Sequence, residues 1–160
     1  MLKGADHPME MNTFCRTVGR LVAENPVEEV PAMIAEYLPE ILGDRELLTV
    51  EQKALPPDGY GRHDIFLCPN DDFSIIAAVW PAGIVSPIHD HKTWCTFGVF
   101  EGVIKETRYR VSPDDPGGLD VIPTETAEWV AGDVAPPGQP PPRGQPAPPH
   151  FTWQPASFGS

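Results

Sequence analysis

The sequence lacks several features that would each define a class of protein. It has three cysteines in 160 residues, too few and too widely spaced for the disulfide framework of a small secreted domain. It has no apolar segment long enough to cross a bilayer, and its first residues lack the apolar stretch of a signal peptide. We therefore expect a cytoplasmic protein with reduced thiols.

Positive charge is scarce as well. Lysine and arginine number 11 against 23 aspartates and glutamates, which gives a formal net charge of −12. A field of that sign repels the phosphates of nucleic acids and anionic membranes, so we expect neither as a partner. A chain of 160 residues is long enough for one domain with a hydrophobic core, and a single domain is expected over residues 1–160.

The first third of the chain has the periodicity of helices. Apolar residues recur at helical spacing in two successive stretches, and Asn25 followed by Pro26 is typical of the start of the second helix. Thr49 and Gln52 have the spacing of a capping box, which indicates a brief third helix. The sequence predicts a helical region over residues 12–54 that covers a larger body.

From Tyr60 onward the chain changes to short runs of β-branched and aromatic residues separated by turn sequences. Two runs that flank "PNDD" predict a β-hairpin. The runs "WCTFGVF" and "VIKETRYRV" predict a second pair of strands around a turn at Glu101 and Gly102, and "AEWVAGDVA" predicts one further strand. Short strands with such corners favour an antiparallel sandwich or barrel.

The last part of the chain is rich in proline. Residues 135–160 contain no aspartate, glutamate or lysine, and their proline density excludes a central strand. We expect a disordered or polyproline-like tail that does not continue the sheet. The abrupt change of composition after "GDVA" leaves a second origin open, namely a frameshift in the coding sequence.

Two histidines, His89 and His91, stand two residues apart in "SPIHDHKTWCTFGVFEG". Residues with this spacing in a strand project from the same face, so the pair is a candidate half of a metal site. Ordinary polar residues at the rim of a sheet are the alternative interpretation. The placement of Gly83, of the histidines and of the turn at Gly102 resembles the first motif of the cupin barrel.

A longer set of motifs is similar to the cysteine dioxygenase family of cupins, especially its bacterial thiol dioxygenases. The set comprises "GYGRH", "FSIIAAVW", "SPIHDHKTWCTFGVFEGVIKETRYR" and "GDVA", and it covers residues 60–134. The resemblance implies a mainly β fold, an incomplete cupin-type antiparallel β-barrel with N-terminal helices. It also implies a non-haem Fe(II) enzyme that oxidises a small thiol carboxylate, cysteine or 3-mercaptopropionate, with O2 to the sulfinic acid.

The resemblance assigns metal and substrate roles to four residues. His89 and His91 would bind Fe(II). Arg62 stands where the family places an arginine that pairs with the substrate carboxylate, and a guanidinium matches a carboxylate through two parallel hydrogen bonds. Tyr60, two residues earlier, is a second expected substrate contact. Relatives associated with 3-mercaptopropionate carry glutamine at the position of Arg62, so the arginine favours cysteine.

Two further residues are candidate catalytic residues on the same grounds, Cys95 and Trp94. Cys95 stands where some relatives form a thioether with a tyrosine near the C-terminus, but this chain has no tyrosine in that region. A small buried thiol is therefore the simpler interpretation of Cys95. Trp94 is expected to pack beside the metal and shield it.

The third histidine of the family has no counterpart at its expected place. His150, Glu128, Asp133 or solvent could complete the metal shell, and the sequence does not choose among them. Two other functions stay open: a non-catalytic cupin that binds a metal or a small carboxylate, and an inactive truncated or frameshifted relative. The identity of the thiol and the oligomeric state are also left open.

Overall fold

A computed structural model describes residues 10–89, 93–112 and 120–137, together with the backbone of residues 150–155. Two α-helices and a short 3₁₀ helix come first: α1 Met11–Glu24, α2 Val30–Leu42 and η1 Glu51–Lys53. The strands follow: β1 Gly61–Leu67, β2 Ser74–Val79, β3 Val103–Val111, β4 Val121–Val130 and β5 His150–Pro155. The predicted order, helices before strands, is confirmed.

The two helices pack on each other through apolar side chains. The most deeply buried of these are Phe14, Val18, Val30, Ile34 and Ile41. The second helix begins four residues after Pro26, later than the Asn25–Pro26 pair indicates. Asn25 instead ends α1, because both its backbone N–H and its side-chain Nδ2 donate to the carbonyl oxygen of Leu21, at 3.2 and 3.0 Å.

The capping box before η1 is confirmed. The backbone N–H of Thr49 donates to Oε1 of Gln52 at 3.0 Å, and the backbone N–H of Gln52 donates to Oγ1 of Thr49 at 3.2 Å. This reciprocal pair satisfies two of the donors that the first turn of a helix leaves without partners. The predicted third helix is a single 3₁₀ turn.

The predicted hairpin is also confirmed. Strands β1 and β2 are antiparallel, with Gly61 opposite Val79 and Leu67 opposite Ser74. The rings of Phe66 and Phe73 stack at 5.4 Å between centroids. Phe73 also packs against the helical core, so one face of the hairpin is covered by the helices.

The second sheet has the order β4-β3-β5, and its pairing differs from the prediction. Strand β3 pairs antiparallel with β4, from Val103 opposite Val130 to Val111 opposite Val121. The predicted pair of "WCTFGVF" with "VIKETRYRV" is therefore wrong. The "WCTFGVF" segment instead lies against the turn that follows β4, where Gly98 forms a bridge with Val134.

Backbone hydrogen bonds give the reason for this pairing. The N–H of Val99 donates to the carbonyl oxygen of Asp133 at 2.9 Å, and the N–H of Gly132 donates to that of Val99 at 2.7 Å. The residues beyond β4 thus supply backbone hydrogen bonds to the segment before the turn at Gly102. Gly102 has a φ of 82°, a conformation that favours glycine, and the chain turns there into β3. The predicted strand "AEWVAGDVA" is the end of β4 followed by this turn.

The tail contributes a strand to the sheet. Residues of β5 pair antiparallel with β3, with Gln154 opposite Lys105 and Thr152 opposite Thr107. The expectation that the tail does not continue the sheet is wrong for residues 150–155. The one proline of β5, Pro155, is tolerated because it is the last residue of an edge strand. Residues 138–149 and 156–160 lie outside the described part, so the predicted disorder there stays a prediction.

The described residues form a mixed fold of two α-helices and two antiparallel sheets that do not close into a barrel. The antiparallel organisation is as expected, and the cupin barrel over residues 60–134 stays a prediction. Among these residues, no helix combines the length and the apolar character needed to cross a bilayer.

Candidate functional site

His89 is exposed and lies in an irregular stretch, residues 84–89, rather than in the expected strand. The expectation that His89 lies in a strand is therefore wrong. His91 lies outside the described residues. Nδ1 of His89 is 2.8 Å from the carbonyl oxygen of Pro87. Because a carbonyl oxygen only accepts, Nδ1 is the donor in this contact, and the tautomer that carries its proton on Nδ1 has its lone pair on Nε2, the type of atom that binds a metal.

Arg62 and Tyr60 lie at the open end of the β1–β2 hairpin. Nε of Arg62 is 3.8 Å from Oδ1 of Asp64, and the two side chains are 60% and 54% exposed. A pair this exposed contributes about 0–1 kcal/mol, so an incoming carboxylate could replace Asp64 at small cost.

Tyr60 is half exposed and stacks on Trp80, with ring centroids 5.4 Å apart and an interplanar angle of 22°. The stack closes the end of the hairpin, where Gly61 lies opposite Val79. Tyr60 therefore offers a flat apolar surface near Arg62. Trp80 is the partner that the sequence reasoning did not single out.

Trp94 lies against the helices. It is partly buried and packs on the core formed by α1 and α2. Four residues later, Gly98 lies so close to Leu42 of α2 that a Cβ there would require the Leu42 side chain to move. These two contacts hold the segment that follows the histidines against the helical part of the molecule.

Cys95 is partly buried, and two effects raise the pKa of its thiol. Burial disfavours the thiolate, and the negative charge of Glu106 disfavours it further. The thiol therefore keeps its proton at neutral pH. A protonated thiol is neither a good nucleophile nor a good metal ligand.

A buried polar cluster, consisting of Glu106, Arg108 and Trp129, lies on β3 and β4. Glu106 is only 5% exposed. Nε of Arg108 donates to its Oε1 at 3.1 Å, and Nε1 of Trp129 donates to its Oε2 at 3.1 Å. Arg108 also donates through Nη2 to the carbonyl oxygen of Pro136 at 3.3 Å. The sequence signal for this cluster was the opposite charge of Glu106 and Arg108. These residues are two apart in a strand, a spacing that places both side chains on one face of the sheet.

The segment that carries Cys95 reaches this cluster. The ring of Phe97 meets that of Trp129 edge to face, with centroids 6.4 Å apart. The N–H of Ala135 donates to the carbonyl oxygen of Phe97 at 3.1 Å. Cys95 thus lies in a segment packed between the helices on one side and the polar cluster of the sheet on the other.

The candidates for a third metal ligand lie in separate places. Glu128 is exposed on β4, and Oδ2 of Asp133 accepts the N–H of Val130 at 2.8 Å. The backbone of His150 lies opposite Arg110. Within the ranges that the structure describes, no group of three or more histidine, cysteine or acidic side chains is placed to hold a metal ion.

Among the buried polar atoms of the described part, Nε2 of His63 and Oγ1 of Thr96 have no hydrogen-bond partner. His63 is next to Arg62 on β1, and Thr96 is next to Cys95. Buried polar atoms without partners are uncommon and often lie near functional sites. The sequence reasoning gave neither residue a role, although His63 lies in "GYGRH" and Thr96 lies in "SPIHDHKTWCTFGVFEG".

Comparison with known proteins identifies no family. No family model matches the sequence, and no curated protein matches it. The assignment of function therefore depends on the chemistry of the residues and on the likeness of their motifs.

Proposed function

We propose that the protein is an Fe(II)-dependent thiol dioxygenase with an incomplete cupin-type barrel, which converts a small thiol carboxylate and O2 to the sulfinic acid. Support comes above all from His89, whose Nδ1 donates to the carbonyl oxygen of Pro87. Histidines that bind metals commonly donate their other ring N–H in this way, because the bond fixes the tautomer and the ring. His91 is the second ligand that the likeness to the thiol dioxygenases implies.

Fe(II), when bound, would supply a double positive charge that attracts a thiolate and a place for O2 to react. Neutral imidazole ligands leave that charge undiminished. His89 offers the type of ligand that such an ion accepts, an imidazole nitrogen in a ring whose other nitrogen carries the proton.

Arg62 binds the substrate carboxylate in this proposal. Its guanidinium is exposed, and its ion pair within the described residues is a long contact to Asp64, so two parallel hydrogen bonds to a carboxylate would exceed the interaction they replace. The Tyr60 ring, fixed by its stack on Trp80, lines the same end of the hairpin. An arginine rather than a glutamine favours cysteine over 3-mercaptopropionate.

Trp94 and Cys95 border the proposed site. The indole of Trp94 packs against the helices and closes that side to water. Cys95 is a thiol at neutral pH, since burial and Glu106 both raise its pKa. Its contribution is therefore not that of a nucleophile.

The proposal is tested by cysteine oxidation in the Fe(II)-loaded protein. His89→Ala is expected to reduce sulfinate formation to the rate of free Fe(II), since one imidazole ligand is lost. Arg62→Gln is expected to raise KM for cysteine more than it lowers kcat, because it removes carboxylate binding. Arg45→Gln, a change at another exposed arginine, is the matched control and should leave both constants unchanged.

Other outcomes would favour the two alternative functions. A metal or carboxylate bound without O2 consumption would indicate a non-catalytic cupin. Failure to bind either would indicate an inactive relative. In that case sequencing of the gene beyond the "GDVA" codons would show whether another frame encodes a histidine and further strands.

A further inference from the structure

The open face of the β1–β2 hairpin combines a cation with apolar side chains. Opposite residues of the two strands share a face, and the register places Arg62 opposite Ala78 and Asp64 opposite Ile76. All four residues are exposed. The other face differs, because Ile75 packs there against the helical core.

Two aromatic rings extend this face by one further pair. Gly61 lies opposite Val79, so Tyr60 and Trp80 are the next residues to face each other. Their rings stack with centroids 5.4 Å apart and an interplanar angle of 22°. Because Tyr60 is still 50% exposed, the stack presents aromatic surface to solvent next to Arg62.

Ala78 leaves space between two larger neighbours. Trp80 and Ile76 lie two residues away on either side of it, and four residues of strand span about 13 Å. A single methyl group between the two larger side chains leaves room for a flat ring. Arg62, opposite Ala78, borders this space with its guanidinium.

We propose that the open face of the hairpin binds a carboxylate with an aromatic body, the carboxylate on Arg62 and the ring over Ala78 against Trp80. The inference deepens the proposed function, on which it rests for the role of Arg62 as the carboxylate-binding residue. The binding itself needs neither metal nor O2 and is measured without them.

The charges of this face favour such a ligand over other occupants. A guanidinium holds a carboxylate through two parallel hydrogen bonds, and its 3.8 Å contact with the exposed Asp64 is weak enough to be replaced. A second copy of the chain would bring a further net charge of −12 to this surface, whereas a monocarboxylate brings a single charge. An anion without a ring would leave the apolar surface of Trp80 and Ile76 in water.

The first experiment measures the affinity of the metal-free full-length protein for benzoate, acetate and benzyl alcohol by NMR titration. Benzoate has both the carboxylate and the ring, and each of the other probes has one of them. We expect benzoate to bind roughly 2- to 12-fold more tightly than acetate, the gain from one aromatic contact, and more tightly than benzyl alcohol. Equal affinity for benzoate and either other probe would overturn the proposal.

Two variants of β2 locate the ring of the ligand. Ala78→Leu fills the space between Trp80 and Ile76 and keeps Arg62, so benzoate should bind only as tightly as acetate. Ser74→Leu adds the same bulk at another exposed position of the same face and is the matched control, which should bind benzoate as the wild type does. Equal weakening in both variants, or none in Ala78→Leu, would overturn the proposal.

Two variants of β1 locate the carboxylate of the ligand. Arg62→Gln should bind benzoate no more tightly than benzyl alcohol, because the charge is lost. Asp64→Asn releases the guanidinium and should bind benzoate more tightly than the wild type. Unchanged benzoate binding in Arg62→Gln, or weaker binding in a folded Asp64→Asn variant, would overturn the proposal.

Sedimentation velocity shows whether a second copy of the chain covers this face instead. Ile76→Lys places a charge on the face, and we expect this variant and the wild type to sediment as the same species. A wild-type oligomer that Ile76→Lys dissociates would overturn the proposal.

Inhibition of cysteine oxidation in the Fe(II)-loaded protein separates this inference from the proposed function. Benzoate should raise the apparent KM for cysteine and leave kcat unchanged, since both carboxylates bind to Arg62. Absence of cysteine oxidation would contradict the proposed function, while the titrations of the metal-free protein would still decide whether the hairpin binds benzoate.

Discussion

The helical part and the second sheet bury different kinds of side chains. The helices bury apolar groups such as Phe14, Val18 and Ile34, whereas the sheet buries Glu106 and Thr107. An apolar core needs only the right volume and period, but each buried polar group needs a partner with correct geometry. The stability of the sheet therefore depends on hydrogen-bond geometry, whereas that of the helical part depends on volume and shape.

The buried polar groups of the sheet do have partners across strands. The hydroxyl groups of Thr107 and Thr126 are 3.1 Å apart, and Glu106 on β3 is bonded to Trp129 on β4. These bonds set the register of β3 on β4 more narrowly than apolar contacts would, since a shift of one residue would leave each group without its partner.

The largest expected effect is in the apolar half. Ile34→Ala should lower the free energy of unfolding by about 2–5 kcal/mol, because it leaves a cavity in the core between the helices. Ile76→Ala, at a residue 41% exposed on β2, should cost far less, within about 1 kcal/mol. Urea denaturation followed by circular dichroism measures both. Similar losses for the two variants would contradict the assignment of the core to the helices.

The next effect is in the polar half. Glu106→Ala should cost about 2–3 kcal/mol, less than for a fully buried ion pair, because Arg108 is partly exposed and can reach water. The double variant Glu106→Ala with Arg108→Ala should lose less than the sum of the two single variants. Strictly additive losses in the same denaturation assay would show that the pair is not coupled.

Alkaline pH should lower the free energy of unfolding. Burial raises the pKa of Cys15 in α1, and burial with Glu106 raises that of Cys95. Above about pH 9.0 the unfolded thiols lose protons that the folded ones keep, so stability falls with rising pH.

The expected slope is at most about 1.4 kcal/mol per pH unit for each thiol. Cys15→Ala and Cys95→Ala should each make the fall shallower in denaturation curves recorded between pH 8 and 10.5. An unchanged slope in both variants would contradict this account of the two thiols.

The smallest effect is at the capping box before η1. Thr49→Ala should cost about 1 kcal/mol, because the N–H of Gln52 loses its acceptor. Thr49→Ser keeps the hydroxyl and should retain most of the stability. Equal loss in the two variants, measured by thermal denaturation, would show that the hydroxyl makes no contribution.

Local signals in the sequence predicted local structure well. The capping box of Thr49 and Gln52 and the β1–β2 hairpin depend on residues a few positions apart, and both are present. Asn25 shows the limit of such signals, since a side chain that can begin one helix here ends the preceding one.

The pairing of strands that are distant in the sequence could not be predicted from such local signals. The partner of β3 is the segment that makes backbone hydrogen bonds with it, and β4 does so from across a long loop. The residues after β4 form backbone hydrogen bonds with Val99 instead. Glu106 was missed for a related reason: its burial depends on Trp129, twenty-three residues away. Arg62 and Tyr60 both lie at the open end of the hairpin, and their shared role in substrate binding stays a prediction.

The most direct test of the proposed function is O2 uptake by the Fe(II)-loaded protein on addition of cysteine, with the product identified by mass spectrometry. One O2 should be consumed for each cysteine converted to cysteine sulfinic acid, both oxygen atoms entering the product, and His89→Ala should show no uptake above free Fe(II). Bound iron with no cysteine-dependent uptake of O2 would contradict the proposal.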